Sequence, residues 1–231
     1  MQKRPVKPNG EIERKLWNEG YGLVIGLDEV GRGPLAGPVC AGGVLITDET
    51  QLVDGVWDSK KLTEKARNEL SKEICARSAG WAVGMVDSAD IDNVGIARAV
   101  QIAMSYVVSS IEEKIGKKAD ILIVDGAQVR EIEGYENQRF AKGDMLHYSI
   151  AAGSIVAKVA RDNLMKSISS KYPEYGFDSH VGYGTKQHRE ALYEIGPCKI
   201  HRFTFKPVSE LVKKATYGQK KAWSYWGELG L

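Results

Sequence analysis

The sequence predicts an α/β protein with a mixed central sheet and flanking helices. Short apolar runs come first, and later they alternate with segments whose apolar residues recur every three or four positions. The chain has 231 residues, 43% of them hydrophobic, and a formal net charge of +2. This composition is typical of a folded globular protein and excludes an intrinsically disordered chain.

Five segments are predicted as strands. The first two flank a turn rich in glycine and proline at residues 31–34, and the fourth is a purely apolar run that ends at Asp125. The predicted strands are residues 21–30, 38–46, 81–86 and 119–124, with a short strand at 140–141.

Four segments are predicted as helices: residues 62–74, 96–111, 149–171 and 186–195. Asp58 or Ser59 is expected to cap the first of them. The third ends before Pro173, because a residue that precedes proline avoids the helical region. Thr185 is expected to cap the fourth, which ends at Gly196.

Three regions are expected along the chain. Residues 1–20 form an N-terminal lead, residues 21–208 form one domain, and residues 209–231 form a tail. The tail is rich in lysine and aromatic residues, and we expect a helix that packs its rings on or beside the domain. Binding of nucleic acid by these residues is the alternative.

No apolar stretch is long enough for a spanning helix, and no secretory signal is evident at the N-terminus. We therefore expect a cytoplasmic protein that does not engage a membrane. The three cysteines, Cys40, Cys75 and Cys198, are scattered, which predicts reduced thiols rather than disulfides or a zinc site.

Acidic residues end two of the predicted strands. Asp28 and Glu29 lie near the end of the first strand, and Asp125 follows the fourth. Each of them alone could cap a turn. Together they would converge at the carboxyl edge of the sheet, where α/β proteins bind their ligands.

The third predicted helix carries a line of polar residues. Ser154, Lys158 and Asp162 are spaced at i, i+4 and i+8, so they share one face. That face could be solvated, or it could bring Asp162 to the strand acids. Four converging carboxylates would require divalent cations, and oxygen ligands favour Mg²⁺ or Mn²⁺. Two such ions about 4 Å apart suit phosphodiester hydrolysis.

Several segments in this order resemble the ribonuclease HII family, the prokaryotic type 2 ribonuclease H. The resemblance covers residues 21–208, and its most specific segments are residues 28–38 (DEVGRGPLAGP) and 154–162 (SIVAKVARD). The other matching segments are residues 58–62, 124–126, 142–144, 180–188 and 201–208.

The resemblance implies a ribonuclease H-like fold with a helical C-terminal extension. It implies cleavage of the RNA strand of RNA–DNA hybrids and incision 5′ of single ribonucleotides embedded in duplex DNA, leaving a 3′-hydroxyl and a 5′-phosphate. Two divalent cations, Mg²⁺ or Mn²⁺, would be the cofactors. The implied metal ligands and catalytic residues are Asp28, Glu29, Asp125 and Asp162.

The resemblance also implies residues that contact the substrate. Gly31, Arg32 and Gly33 would sense the 2′-hydroxyl of the ribonucleotide, and Tyr183 would stack on the next deoxyribose. Lys60 would hold a phosphate. Further candidate contacts are Ser154, Lys158 and Thr185.

The sequence departs from the family at Gly153, where alanine is usual, and at Thr204, where serine is usual. The partners implied are hybrids and ribonucleotide-containing duplexes. We expect a monomer; a sliding clamp is a possible partner that the sequence does not indicate.

Two rival interpretations remain open from the sequence. A dinucleotide-binding protein would need a helix after residues 31–37, where a β-rich run follows. A binding module without activity would not need all four carboxylates.

Overall fold

The computed structural model describes residues 7–127, 129–216 and 223. Its contacts divide the chain into two compact units. The first unit comprises residues 1–30, 40–85 and 100–160, and the second comprises residues 31–39, 86–99 and 161–231.

A five-stranded mixed sheet forms the centre of the first unit. Its order is β3-β2-β1-β4-β5, with β1 antiparallel to β2 and parallel to β4, and with β4 parallel to β5. This arrangement confirms the predicted mixed α/β sheet. The strands are β1 (Val24–Val30), β2 (Val39–Ile46), β3 (Gly80–Val86), β4 (Ile121–Asp125) and β5 (Glu136–Phe140).

Nine α-helices occur in the described part of the chain, together with short 3₁₀ turns at Glu49–Gln51 and Pro173–Tyr175. The helices are α1 (Glu11–Asn18), α2 (Glu64–Arg77), α3 (Ser88–Val94), α4 (Ile96–Ile115), α5 (Gly143–Leu146), α6 (Tyr148–Ser169), α7 (Phe177–His180), α8 (Lys186–Ile195) and α9 (Val208–Lys214).

The helix caps are partly those predicted. Thr185 caps α8, where its hydroxyl accepts from the His188 amide at 3.3 Å. The predicted cap of α2 is wrong, because the Thr63 hydroxyl accepts from the Ala66 amide at 3.2 Å instead. The Asp58 carboxylate accepts from the Lys60 backbone amide, so Asp58 stabilises the turn that precedes α2.

Glycines let α6 lie directly on one face of the sheet. A Cβ atom on Gly26 would come within 2.3 Å of Ser149, and one on Gly42 within 2.2 Å of the Gly153 oxygen. On the opposite face, a Cβ on Gly43 would lie 2.4 Å from the side chain of Val107 in α4. The sheet is therefore enclosed between α6 and α4 at its central strands.

The second unit has its own apolar core. Tyr175 and Phe177 stack at 5.2 Å between ring centroids, and Met165 and Cys198 pack in the same cluster. Trp223 of the tail is buried and fills the space beside Gly196. The tail begins within α9, but residues 217–222 and 224–231 lie outside the described residues, so the predictions made for them stay predictions.

In the described part of the chain, no single helix is both long and apolar enough to cross a membrane, although α3 and α4 together, bent at their junction, reach that length and composition. The three cysteines are free thiols.

Candidate active site

Three carboxylates converge at the carboxyl edge of the sheet. Oxygen atoms of Asp28, Glu29 and Asp125 all lie within 4.8 Å of one another. Their strands are adjacent and parallel, and Leu27 pairs with Val124. The next residue on each strand is therefore an aspartate at the same height of the sheet.

The position of Asp28 follows from the period of two in a strand. Gly26 and Asp28 point to the same face, and that face carries α6. The Ser154 hydroxyl of α6 donates a hydrogen bond to Asp28. When Asp28 is ionised, Ser154 uses its proton there, so the Ser59 hydroxyl at 3.1 Å is then the donor to Ser154. Two buried hydroxyls thus hold the first acid from the helix side.

Asp125 is held by the short helix α5. The Gly143 amide donates to the Asp125 carboxylate at 2.5 Å. A side chain at position 143 would meet Ile150 at 2.8 Å and Asp125 at 3.3 Å, so only glycine allows this close approach. The start of α5 therefore fixes one oxygen of the acid and leaves the other for a ligand.

The charge of Asp28 is disfavoured by its surroundings. Asp28 is 5% exposed, and burial raises its pKa well above the usual range. The neighbouring charges of Glu29 and Asp125 raise the pKa further, and the hydrogen bond from the Ser154 hydroxyl opposes them. Such a set of converging oxygen donors fits a divalent cation.

A further acid near the cluster, Asp144, was not among the predicted site residues. It is 9% exposed, and burial and the charge of Asp125 raise its pKa. The positive charge of Lys60 lowers that pKa, so Lys60 lies close enough to act on it. The segment 142–144 was part of the family resemblance, and this was the available signal.

The other predicted residues of α6 are Lys158 and Asp162. Both are partly exposed, whereas Ser154 is buried. Asp162 belongs to the second unit, and the three-acid cluster does not include it. Its role as a fourth ligand stays a prediction.

The predicted substrate contacts of the second unit lie on two neighbouring segments. Arg32 and Gly33 are exposed, and Gly31 has a φ of +91°, which favours glycine. Tyr183 is 40% exposed, and a Cβ on Gly33 would lie 3.9 Å from its ring. The structure brings Gly33 beside Tyr183, and the Thr185 hydroxyl, which accepts from the His188 amide as the cap of α8, keeps its own proton as a donor. The roles of these residues as substrate contacts stay predictions.

Three histidines of the second unit, His180, His188 and His201, are buried and form structural hydrogen bonds. The Cys198 amide donates to Nδ1 of His201 at 3.0 Å, so the proton of His201 is on Nε2, which faces Nε2 of His188 at 3.0 Å. His188 therefore donates from Nδ1 to the Tyr183 oxygen at 3.0 Å. Burial lowers the pKa of His188 to about 4 and that of His201 to about 3, which keeps both neutral.

The geometry excludes the dinucleotide-binding alternative. After the glycines of residues 31–37 the chain enters β2 at Val39, where a dinucleotide fold would begin a helix.

Comparison with known proteins agrees with the acidic site. The family model described as Ribonuclease HII matches residues 25–208. A curated relative from Caldicellulosiruptor bescii, named Ribonuclease HII, is 48% identical over 195 residues, which cover 84% of this chain and 92% of the relative.

Solved structures give the same result. The crystal structure of the ribonuclease H2 from Pyrococcus horikoshii OT3 has a TM-score of 0.68 and 26% identity, covering 83% of this chain and 97% of that one. The PCNA:RNase HII complex from Archaeoglobus fulgidus gives a TM-score of 0.66 and 28% identity, covering 80% and 95%.

These similarities span nearly the whole predicted domain, and they coincide with a cluster of carboxylates suited to a divalent cation. The chain therefore belongs to the ribonuclease HII family and is a metal-dependent nuclease that cleaves the RNA strand of RNA–DNA hybrids.

Proposed function

We propose that this enzyme also incises duplex DNA on the 5′ side of a single embedded ribonucleotide, by hydrolysis that leaves a 3′-hydroxyl and a 5′-phosphate. The observation that carries the proposal is the convergence of Asp28, Glu29 and Asp125 within 4.8 Å. Asp162 completes the proposed ligand set for two cations, Mg²⁺ or Mn²⁺.

Two bound cations would supply a lower pKa for the attacking water and neutralise charge on the scissile phosphate. The protein's own contribution is to fix the ligands. The Ser154 hydroxyl of α6, supported by the Ser59 hydroxyl in the loop before α2, orients Asp28, and the Gly143 amide orients Asp125. These contacts support a rigid acidic site, because the carboxylates of Asp28 and Asp125 each accept a hydrogen bond from the protein that limits their movement.

Recognition of the ribonucleotide would come from the second unit. Arg32 and Gly33 are exposed, so their backbone can approach a sugar closely, and a 2′-hydroxyl both donates and accepts hydrogen bonds. The Tyr183 ring, 40% exposed beside Gly33, offers a face to the following deoxyribose. Lys60 and Lys158 would contact phosphates as point charges.

The test uses Asp125→Asn with Asp120→Asn as the matched control. Both acids lie at β4, Asp125 at its carboxyl end and Asp120 just before its first residue, where it accepts from the Leu23 amide at 2.8 Å. With Mg²⁺ and a labelled duplex containing one ribonucleotide, Asp125→Asn should lose more than about 100-fold in cleavage rate. Hybrid binding should change little.

Asp120→Asn should cut at the wild-type rate. Wild-type cleavage by Asp125→Asn, or an equal loss in both variants, would show that the acidic site has been assigned wrongly.

A further inference from the structure

Two arginines of the second unit, Arg161 and Arg202, are completely buried and donate to backbone carbonyl oxygens. Arg202 donates to Gly31 at 2.7 Å, Arg32 at 2.9 Å and Gly37 at 3.0 Å. The two side chains thus bind the same backbone segment, residues 31–38, because Arg161 donates to Pro38 at 2.9 Å and Ala36 at 3.3 Å.

Arg161 also reaches the loop that carries Tyr183. Its third hydrogen bond goes to the Val181 oxygen at 2.9 Å, and its guanidinium carbon lies 6.0 Å from the centroid of the Tyr183 ring. One side chain therefore links the glycine-rich segment to the tyrosine loop.

The tyrosine loop is held in a conformation that it would not adopt alone. Val181 has a φ of +44°, which is unfavourable for a β-branched residue and persists only when the surroundings enforce it. The enforcing contacts include the Leu35 amide, which donates to the Gly182 oxygen at 2.8 Å, and the His188 donor on the Tyr183 oxygen.

We propose that Arg161 and Arg202 are positioning residues that fix the spacing between the glycine-rich segment and Tyr183, and so set the preference for a ribonucleotide followed by DNA. The inference rests on the proposed function, because it explains the substrate preference of that activity. It assigns this preference to two buried arginines that hold the substrate-contacting segments in place. Both arginines are fully buried, so they would act through the segments that they hold and not by contact with the substrate.

The chemistry of the site requires arginine. A guanidinium presents five donors in one plane, so three of its nitrogens can each serve a separate carbonyl, whereas a lysine has one nitrogen on a flexible stem. Arg161 also packs directly against Gly31, since a Cβ atom on Gly31 would lie 2.3 Å from Nε of Arg161. Lysine keeps the charge and the apolar stem but cannot hold three oxygens in place.

The experiment compares Arg161→Lys and Arg202→Lys with the control Arg77→Lys. Arg77 also donates to a backbone carbonyl, that of Thr50, but it lies in the first unit. Single-turnover cleavage rates are measured with Mg²⁺ on a duplex with one ribonucleotide and on a long hybrid. The measured ratio is the rate on the single-ribonucleotide duplex divided by the rate on the long hybrid. We expect this ratio to fall at least tenfold in Arg161→Lys and in Arg202→Lys, called the frame variants, and to stay unchanged in the control.

A double variant tests whether Arg161 affects the rate ratio by positioning Tyr183. If Arg161 acts through Tyr183, adding Arg161→Lys to Tyr183→Ala should lower the ratio by less than twofold further. A further tenfold fall in the ratio would show that Arg161 does not act through Tyr183.

A purely structural role gives a different result. It would lower the melting temperature and slow both cleavages equally, and an unchanged ratio in folded variants would overturn the proposal. Failure of both frame variants to fold would overturn it too, because the arginines would then serve folding alone. If the wild-type enzyme leaves the embedded ribonucleotide uncut, the proposed function fails and this inference fails with it. An unchanged ratio with an active wild type refutes the inference alone.

Discussion

Removing the charge of Asp28 should stabilise the protein when no metal is bound. Oxygens of Asp28, Glu29 and Asp125 lie within 4.8 Å of one another, so each ionised pair repels by about 3 kcal/mol at an effective dielectric constant of about 20. The side-chain amide introduced by Asp28→Asn keeps an oxygen for the Glu29 backbone amide, which donates to Asp28 at 2.7 Å. The substitution therefore removes repulsion and burial cost while it keeps this hydrogen bond, and the Ser154 hydroxyl can turn to accept from the new NH2 group.

The raised pKa of Asp28 limits the size of this effect, because the wild-type protein can relieve the repulsion by binding a proton. We expect Asp28→Asn to raise the free energy of unfolding by about 2 kcal/mol at neutral pH in EDTA, or the melting temperature by roughly 4–8 °C. A folded-state pKa above the unfolded value means that wild-type stability falls as pH rises between the two values. The advantage of the variant should therefore disappear near pH 4.

Excess Mg²⁺ should reduce or reverse the stability advantage of Asp28→Asn over the wild type. A ligand at about 100 times its dissociation constant stabilises the folded state by about 2.7 kcal/mol, and the variant lacks one of the ligands. Thermal and urea unfolding in EDTA and in Mg²⁺, with Asp120→Asn as the control, measure these differences. A variant less stable than the wild type in EDTA at neutral pH, or an equal advantage at pH 4, would refute the reasoning.

Three further variants test separate parts of the structure. Tyr183→Ala should lose more activity on a single embedded ribonucleotide than on a long hybrid, and equal losses would remove its proposed role at the junction. Gly153→Ala should lower the free energy of unfolding by about 1 kcal/mol despite the better helix propensity of alanine, because the added Cβ would lie 2.8 Å from the Gly42 oxygen; urea unfolding that shows a gain would contradict this. Glu13, whose carboxylate accepts from the Ser149 amide and hydroxyl, has a pKa raised by burial, so wild-type stability should fall as pH rises above the ordinary value. Glu13→Gln should flatten this dependence between pH 4 and pH 8, and an unchanged slope would show that Glu13 does not cause it.

The long elements could be predicted because their patterns are strong. The apolar run of β4, the apolar strands β1 and β2 around their glycine-proline turn, and the four-residue spacing in α2 each matched one structure type. The acids could be predicted as a group because an acid at the end of a buried strand is costly unless it serves a ligand.

The elements that were missed lack such patterns. Strand β5 has the sequence ENQRF and lies at the edge of the sheet, where none of its residues is fully buried. It therefore lacks an apolar pattern, and only its last residue was included in a predicted strand. Helices α3, α5 and α7 have seven residues or fewer, too few for a clear period. Their positions depend on tertiary contacts, such as the hydrogen bond from Gly143 to Asp125.

Roles that depend on distant backbone could not be predicted from the sequence. Arg161 and Arg202 lie more than 120 positions from the carbonyl oxygens that they hold in residues 31–38. A charged residue is usually exposed, so nothing in the local sequence indicates that both arginines are fully buried. The same applies to Asp144, which acquires its raised pKa only beside Asp125.

The most direct test of the central claim is to map the cut in a labelled DNA duplex that contains one ribonucleotide, with Mg²⁺ and with EDTA. We predict a single incision on the 5′ side of the ribonucleotide, with a 3′-hydroxyl and a 5′-phosphate, and no cleavage in EDTA. Cleavage that persists in EDTA, or that leaves a 2′,3′-cyclic phosphate on the ribonucleotide, would contradict hydrolysis by a metal site built on Asp28, Glu29 and Asp125.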